Sequence, residues 1–201
     1  MIILLIMTEK DEKERLPPNQ RRVNRFPVLQ AGDIPKQLNK NNWNLVVYGE
    51  VENPKTYTYN AFIKLPMSKI KVDIHCVTGW SLFDTEWEGV LFRDLFNIVN
   101  PTQKVNYVIF ECEDLNGQFS TSMPISELMG DDSMLAYKYN NADITIEHGG
   151  PVRGVVPKKY FYKSAKWVRK LKLVEKDELG YWERGGYSNT ANPWKEERYS
   201  Y

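Results

Sequence analysis

Apolar side chains in this sequence recur at a spacing of two, in runs only a few residues long. Such runs fold as strands, because alternate side chains of an extended chain point to opposite faces. Trp43, Leu45 and Val47 form one run, and Ile70, Val72, Ile74 and Cys76 form another. In a third, Tyr107 and Ile109 oppose Val108 and Phe110, so both faces of that strand are apolar and both are buried. Asn116-Gly117 is a strong hairpin signal, and Asn140-Asn141 a weaker one. Helical pieces are short. Tyr59 to Leu65 has Thr58 as N-cap and Pro66 as its stop; Val90 to Val99 is apolar at 91, 95, 98 and 99, with Pro101 beyond. Strands and short helices without a βαβ rhythm predict an α+β fold, mainly mixed or antiparallel β.

The chain of 201 residues is 42% hydrophobic and 13% aromatic, enough for one packed core. Its net charge of +1 gives no global reason for nucleic acid or an anionic membrane as partner, so any charge-based function is local. Two cysteines, Cys76 and Cys112, exclude a disulfide scaffold and suit a reducing compartment. The apolar run Met1 to Met7 is too short for a membrane span and lacks signal-peptide flanks, while Arg21-Arg22 is followed by no hydrophobic run that would make an export signal. The expected location is the cytoplasm. Mixed charges over Thr8 to Arg15 and then Pro17-Pro18 divide a solvated tail, residues 1–16, from a single domain, residues 17–201.

Three blocks could carry chemistry. In Asp73-Ile74-His75-Cys76-Val77-Thr78-Gly79-Trp80-Ser81, the alternation puts Cys76 at a strand end with His75 on the other face, and Gly79 turns the chain. A cysteine there either reaches a cleft as a thiolate ligand for a metal or packs as a small buried hydrophobe. His75 beside Cys76 does not by itself make a zinc site, which needs four ligands.

The second block runs from His148-Gly149-Gly150-Pro151 through Arg153 to Trp167. Between His148 and Val174 there are eight Lys or Arg residues and no acid. With glycines that let backbone approach a ligand, and Ser164 between Lys163 and Lys166, this composition suits a buried phosphate; the alternative is a solvated basic face. Interleaved Val155, Val156, Phe161, Trp167 and Val168 imply partial burial. The third block, Gly180-Tyr181-Trp182-Glu183-Arg184-Gly185-Gly186-Tyr187, can position a phenolic hydroxyl or simply pack, and Cys112 reads as core.

Taken in order with Gln20 to Leu29 and Leu135-Ala136-Tyr137, these blocks resemble the molybdopterin domain of the sulfite oxidase family, especially its compact prokaryotic branch with His-Cys-Val-Thr at the metal cysteine. The resemblance runs from Pro17 to Tyr199. It implies a molybdenum-molybdopterin cofactor with Cys76 as the protein thiolate on the metal. It also implies that His148 and Arg153 contact the pterin, that Lys163, Ser164 and Lys166 hold its phosphate, and that Asn24 lies near the cofactor. Tyr187, five residues after Trp182, matches the active-site tyrosine.

The departures fall where substrate binds. Val23 stands where sulfite oxidases place an arginine, although Arg22 and Arg25 flank it, and Trp80 and Ser81 stand where they place two more. A sulfite dianion needs dense cationic contacts. The resemblance therefore implies an oxotransferase for a small sulfur- or nitrogen-containing substrate, with reduction of an S-oxide or N-oxide as an alternative to sulfite oxidation. No haem-binding motif is present in these residues, so the expected electron source is a separate haem protein or other carrier. The rival reading is a non-catalytic carrier of the cofactor, or an anion-binding module.

Overall fold

The alternating runs pair into two sheets in a computed structural model, which describes residues 13–29, 32–113 and 119–200. In chain order the strands are β1 (Arg21–Arg22), β2 (Asn44–Gly49), β3 (Lys55–Thr58), β4 (Ser68–Cys76), β5 (Trp80–Leu91), β6 (Tyr107–Cys112), β7 (Ser120–Pro124), β8 (Met134–Tyr139), β9 (Ala142–Asp143), β10 (Arg153–Val155) and β11 (Val168–Val174). The α-helices with bounds inside the described residues are α1 (Tyr59–Phe62), α2 (Phe92–Val99) and α3 (Tyr181–Arg184). One sheet follows the order β1-β5-β8-β10, with β4 on β5 and β9 on β8; the other follows β3-β2-β11-β6-β7. Pairs β1/β5 and β2/β11 are parallel and the rest antiparallel, as expected for a mixed sheet.

β6 lies between β11 and β7, and the burial of Val108, Ile109 and Phe110 shows that both faces of this strand are covered. Trp43, Leu45 and Val47 are buried at 2%, 0% and 0% exposure, and the Trp43 indole N–H donates to the Val168 carbonyl at 2.8 Å. This bond satisfies the one polar atom of a fully packed ring. The helices are shorter than the sequence pattern predicts. Thr58 caps α1, accepting from the Ala61 amide at 3.3 Å, but the helix ends at Phe62; Val90 and Leu91 belong to β5 rather than to α2. Phe92, Leu95, Phe96 and Val99 put one apolar face of α2 into the core.

Asn140 and Asn141 both take positive φ, 48° and 63°, and join β8 to β9 by the predicted hairpin. Asn116-Gly117 and the run Met1 to Met7 lie outside the described residues. Arg15, assigned to the tail, is anchored: its guanidinium grips the Asp73 carboxylate at 2.8 and 2.5 Å. No described helix is long and apolar enough to cross a membrane.

Candidate active site

β4 and β5 are joined by a short turn, and that turn presents Cys76. Gly79 takes φ +89°, its amide donates to the Cys76 carbonyl at 3.0 Å, and its own carbonyl accepts from the Arg21 amide at 2.9 Å. The Gln20 side chain donates to the same Cys76 carbonyl at 3.1 Å. Cys76 therefore sits on a turn gripped from a second segment. Burial pushes its thiol pKa up, while the Thr78 hydroxyl, donating to Sγ at 3.2 Å, works in the opposite direction. His75 is buried on the other face, Nδ1 against the Ser81 hydroxyl at 2.8 Å, and burial lowers its pKa to about 4. It is a neutral structural residue.

Cys76 opens onto a cleft of about 290 Å³ lined from three directions. Val77 and Thr78 come from the β4–β5 turn and Trp80 from the start of β5; Arg153, Phe161, Ser164 and Lys166 from the chain around β10; Phe119 from just before β7, Trp182 from α3 and Tyr187 from the loop after it. Phe26 and Leu29 add a fourth edge. Segments distant in sequence thus converge from four sides on one cavity, as expected of a ligand site.

The structure sorts the eight basic residues of the second block. Lys158, Lys159, Lys163, Arg169, Lys170 and Lys172 each pair with a carboxylate: Asp132, Glu127, Glu183, Glu113, Glu111 and Glu178 respectively. Only Arg153 and Lys166 have no carboxylate ion pair among the described residues, and both line the cleft. Arg153 is 1% exposed and donates to the carbonyls of Gly154, His148 and Ser164 at 3.2, 2.6 and 2.7 Å. Its guanidinium lies 4.3 Å from the Phe161 ring centroid, and burial lowers its pKa to about 9. Lys166 donates to the Leu29 and Glu147 carbonyls at 2.9 and 2.5 Å; burial, then Arg153, lower its pKa to about 8. A buried guanidinium and a half-buried ammonium beside a cavity, neither with a carboxylate partner among the described residues, are what an anionic ligand needs.

Lys163 departs from its expected place at a phosphate. Its side chain is fully buried and its ammonium donates to Glu183 at 2.5 Å and to the Ser122 carbonyl and Asn189 at 2.9 Å each. Three donors meet three acceptors, so none remains for a ligand. The glycines also act differently. A Cβ on Gly149 would lie 2.8 Å from the Lys166 Cβ, and one on Gly150 would lie 2.0 Å from the Ile144 carbonyl oxygen. They make room for protein, with Gly149 letting Lys166 cross.

His148 stays outside the cleft lining: Nδ1 meets the Thr145 hydroxyl at 3.1 Å and Nε2 the Phe26 carbonyl at 3.2 Å. It holds Phe26, whose ring centroid lies 4.2 Å from its own. Asn24 is exposed and not part of the lining. Ser164 lines the cleft, its hydroxyl accepting from the Val156 amide at 2.9 Å. Tyr187 lines it too, 5.0 Å from the Trp182 ring and 5.4 Å from that of Tyr162; burial first, then Tyr199 and Cys76, raise its pKa. Trp80 stands where the resemblance puts an arginine, at the end of the Cys76 block. Its buried indole N–H has no acceptor among the described residues, and its ring forms part of the wall.

A thiol on a rigid turn, two uncompensated cations and an aromatic wall fit a ligand that is anionic at one end and metal-bearing at the other. Comparison with known proteins agrees. The family model for the oxidoreductase molybdopterin binding domain matches residues 31–182. The uncharacterized oxidoreductase YuiH of Bacillus subtilis is 38% identical over 193 residues, 96% of each chain. A protein-methionine-sulfoxide reductase catalytic subunit, MsrP, of Burkholderia mallei is 31% identical over 83% of this chain, which spans 54% of that protein. Sulfane dehydrogenase SoxCD from Paracoccus pantotrophus shares the fold, with a TM-score of 0.63 at 21% identity over 86% of this chain and 54% of its own. These matches favour an enzyme over a non-catalytic carrier. The chain belongs to the molybdopterin-binding oxidoreductases of the sulfite oxidase family, enzymes that work with a molybdenum-molybdopterin cofactor.

Proposed function

We propose that the protein is an oxotransferase that reduces a small neutral S-oxide or N-oxide, with Cys76 as the thiolate ligand of molybdenum and Tyr187 as hydrogen-bond donor to the substrate oxygen. One observation carries this reading. The side chains that line the cleft from the Cys76 turn and from α3 and its loop are Val77, Thr78, Trp80, Trp182 and Tyr187, with no cation among them. The cations of the cleft, Arg153 and Lys166, belong to the segment assigned to the anionic part of the cofactor. Arg22 sits over the Phe83 ring at 5.2 Å, Arg25 is exposed, and neither lines the cleft. A doubly charged sulfite would enter a desolvated aromatic pocket without charge-assisted partners, whereas a neutral oxide needs one or two ordinary donors.

When bound, the cofactor supplies a two-electron metal centre that exchanges an oxygen atom with substrate. The chain's own residues do the rest. The Thr78 hydroxyl favours the thiolate of Cys76, and Arg153 and Lys166 hold an anionic cofactor group through charge-assisted bonds, with the Ser164 hydroxyl beside them. Tyr187, its pKa raised by burial, keeps its proton at neutral pH and can donate it in a hydrogen bond. Trp80 and Trp182 exclude water from the mouth. Similarity to a relative named for methionine sulfoxide reduction supports an S-oxide as substrate, and a separate haem protein or other carrier would return the electrons.

Molybdenum-loaded protein assayed with artificial electron carriers tests this. Methionine sulfoxide or a simple N-oxide should be reduced with saturation, and sulfite should be oxidised poorly. Efficient sulfite oxidation at micromolar concentration would overturn the assignment and give the anion role to Arg22 or Arg25.

A further inference from the structure

The segment that follows Tyr187 lies beyond the residues that the family model matches, yet it returns to the Cys76 turn. It does so through one side chain. Arg198 donates from Nη1 to the Val77 carbonyl, the residue directly after Cys76. From Nη2 it reaches the Pro18 and Asn19 carbonyls at 3.5 and 3.4 Å, and from Nε it pairs with Glu196 at 3.3 Å. Its guanidinium carbon lies over the Tyr160 ring, 5.0 Å from the centroid. Glu196 in turn accepts from the Asn19 side chain at 2.7 Å. One planar fork therefore joins the N-terminal segment, the cysteine turn and the C-terminal segment, a task suited to guanidinium geometry.

The same residue is tied to the opposite wall of the cleft by its backbone. The Arg198 carbonyl accepts from the Ser188 amide at 3.1 Å, Tyr199 bridges Tyr187 in antiparallel register, and the Ser200 amide donates to the Gly186 carbonyl at 3.0 Å. The rings of Tyr187 and Tyr199 stand 5.4 Å apart. Side chain and main chain of one residue thus contact the turn that presents Cys76 and the strand-like segment that presents Tyr187.

We propose that Arg198 is a positioning residue that fixes Cys76 and Tyr187 relative to each other, so that the C-terminal segment works as a strap across the site. This rests on the reading of Cys76 and Tyr187 as working residues, but its test does not. In cofactor-free protein, amide hydrogen exchange reads local opening directly. The amides of Gly79, Arg21 and Ser188 report on the two ends of the strap, and the Leu171 amide in β11 reports on the core.

Arg198→Met keeps the length of the stem and removes every donor. It should raise exchange at Gly79, Arg21 and Ser188 by about tenfold or more, the scale expected when one or two hydrogen bonds to a local structure are lost. Exchange at Leu171 should stay within about twofold. Arg198→Lys, which supplies a point charge without the fork, should fall between the two. In the loaded enzyme the same variant should lower kcat while pterin content stays near that of the wild type. Unchanged exchange at Gly79 and Ser188 would overturn the proposal. So would an equal rise at Leu171, because that pattern belongs to a residue that merely stabilises the whole fold.

Discussion

Removing the Lys163 ammonium separates two roles that the sequence confounds. In Lys163→Met the stem is kept, but Glu183 is left as a carboxylate at 0% exposure whose second oxygen already lacks a partner. Its remaining donor is the Thr121 hydroxyl at 2.5 Å, and the Ser122 carbonyl and Asn189 lose a donor each. Breaking a buried pair by removing one partner costs about 3 to 5 kcal/mol. For a chain of this length that lowers the melting temperature by about 6 to 20 °C, at about 2 to 4 °C per kcal/mol. Replacing both partners, as in Lys163→Met with Glu183→Gln, should recover a large part of the loss, because no unpaired charge remains buried. Thermal and urea unfolding of cofactor-free protein, followed by tryptophan fluorescence, measures all three. A loss below about 1 kcal/mol for the single variant, accompanied by depleted pterin in loaded protein, would refute the reasoning and return Lys163 to the phosphate.

Cys76→Ser should abolish turnover with the fold intact, since a hydroxyl is a harder and far less acidic ligand, whereas Cys112→Ser should keep both turnover and fold; activity assays beside circular dichroism decide this. Gly149→Ala puts a methyl 2.8 Å from the Lys166 side chain at a φ of +99°, so it should destabilise by about 1 to 3 kcal/mol and reduce bound pterin, read by unfolding and by fluorescence of the released cofactor. Lys166 carries a pH signature. Its folded pKa of about 8 lies below the ordinary 10.5, so between those values the fold holds it neutral while the unfolded chain keeps it charged. Its burial cost is therefore present below about pH 8 and is relieved as pH rises through the window. Cofactor-free wild type should gain stability over that range relative to Lys166→Met while its affinity for a phosphate anion falls, and parallel slopes for the two proteins would contradict the assignment.

Much of the framework was legible because a period of two survives any tertiary context. Ile70 to Cys76, Tyr107 to Phe110 and the Asn140-Asn141 turn all stand where the pattern puts them. β11 is harder to read as a strand: a register shift between Val168 and Lys170 takes the buried Val168, Leu171 and Leu173 out of a period of two, and Lys170 and Lys172 make the run look like a charged face. At the site, the sequence gathered Cys76, Arg153, Ser164, Lys166 and Tyr187, all of which line one cleft. It could not distinguish Lys166 from Lys163, because what separates them is a carboxylate 20 residues away. Composition counts charges, whereas only the fold pairs them. Arg198 was invisible for a related reason: its partners, Val77 and the Pro18-Asn19 carbonyls, are backbone atoms 121 to 180 residues distant that carry no side-chain signature.

The division of labour around the cleft explains how one scaffold can keep its cofactor while its substrate changes. Arg153 is locked by carbonyls of its own segment, from His148 to Ser164, so its position does not depend on α3 or on the β4–β5 turn. Trp182 and Tyr187 are mounted on α3 and the loop after it, joined to that segment through the Lys163–Glu183 pair and held along one edge by Tyr199. Trp80 and Ser81 begin β5, where β1 pairs in parallel register, Arg21 to Trp80 and Arg22 to Ser81. Exchanging a cationic side chain for Trp80 alters the polarity of the mouth but removes no bond on which Arg153 depends. Trp80 and Arg153 both touch the Phe26 ring but share no hydrogen-bond partner, so substitutions at the two couple through packing alone. A substrate wall can thus lose its arginines without loosening the grip on the pterin, and aromatic side chains in place of cations are compatible with a fully loaded enzyme.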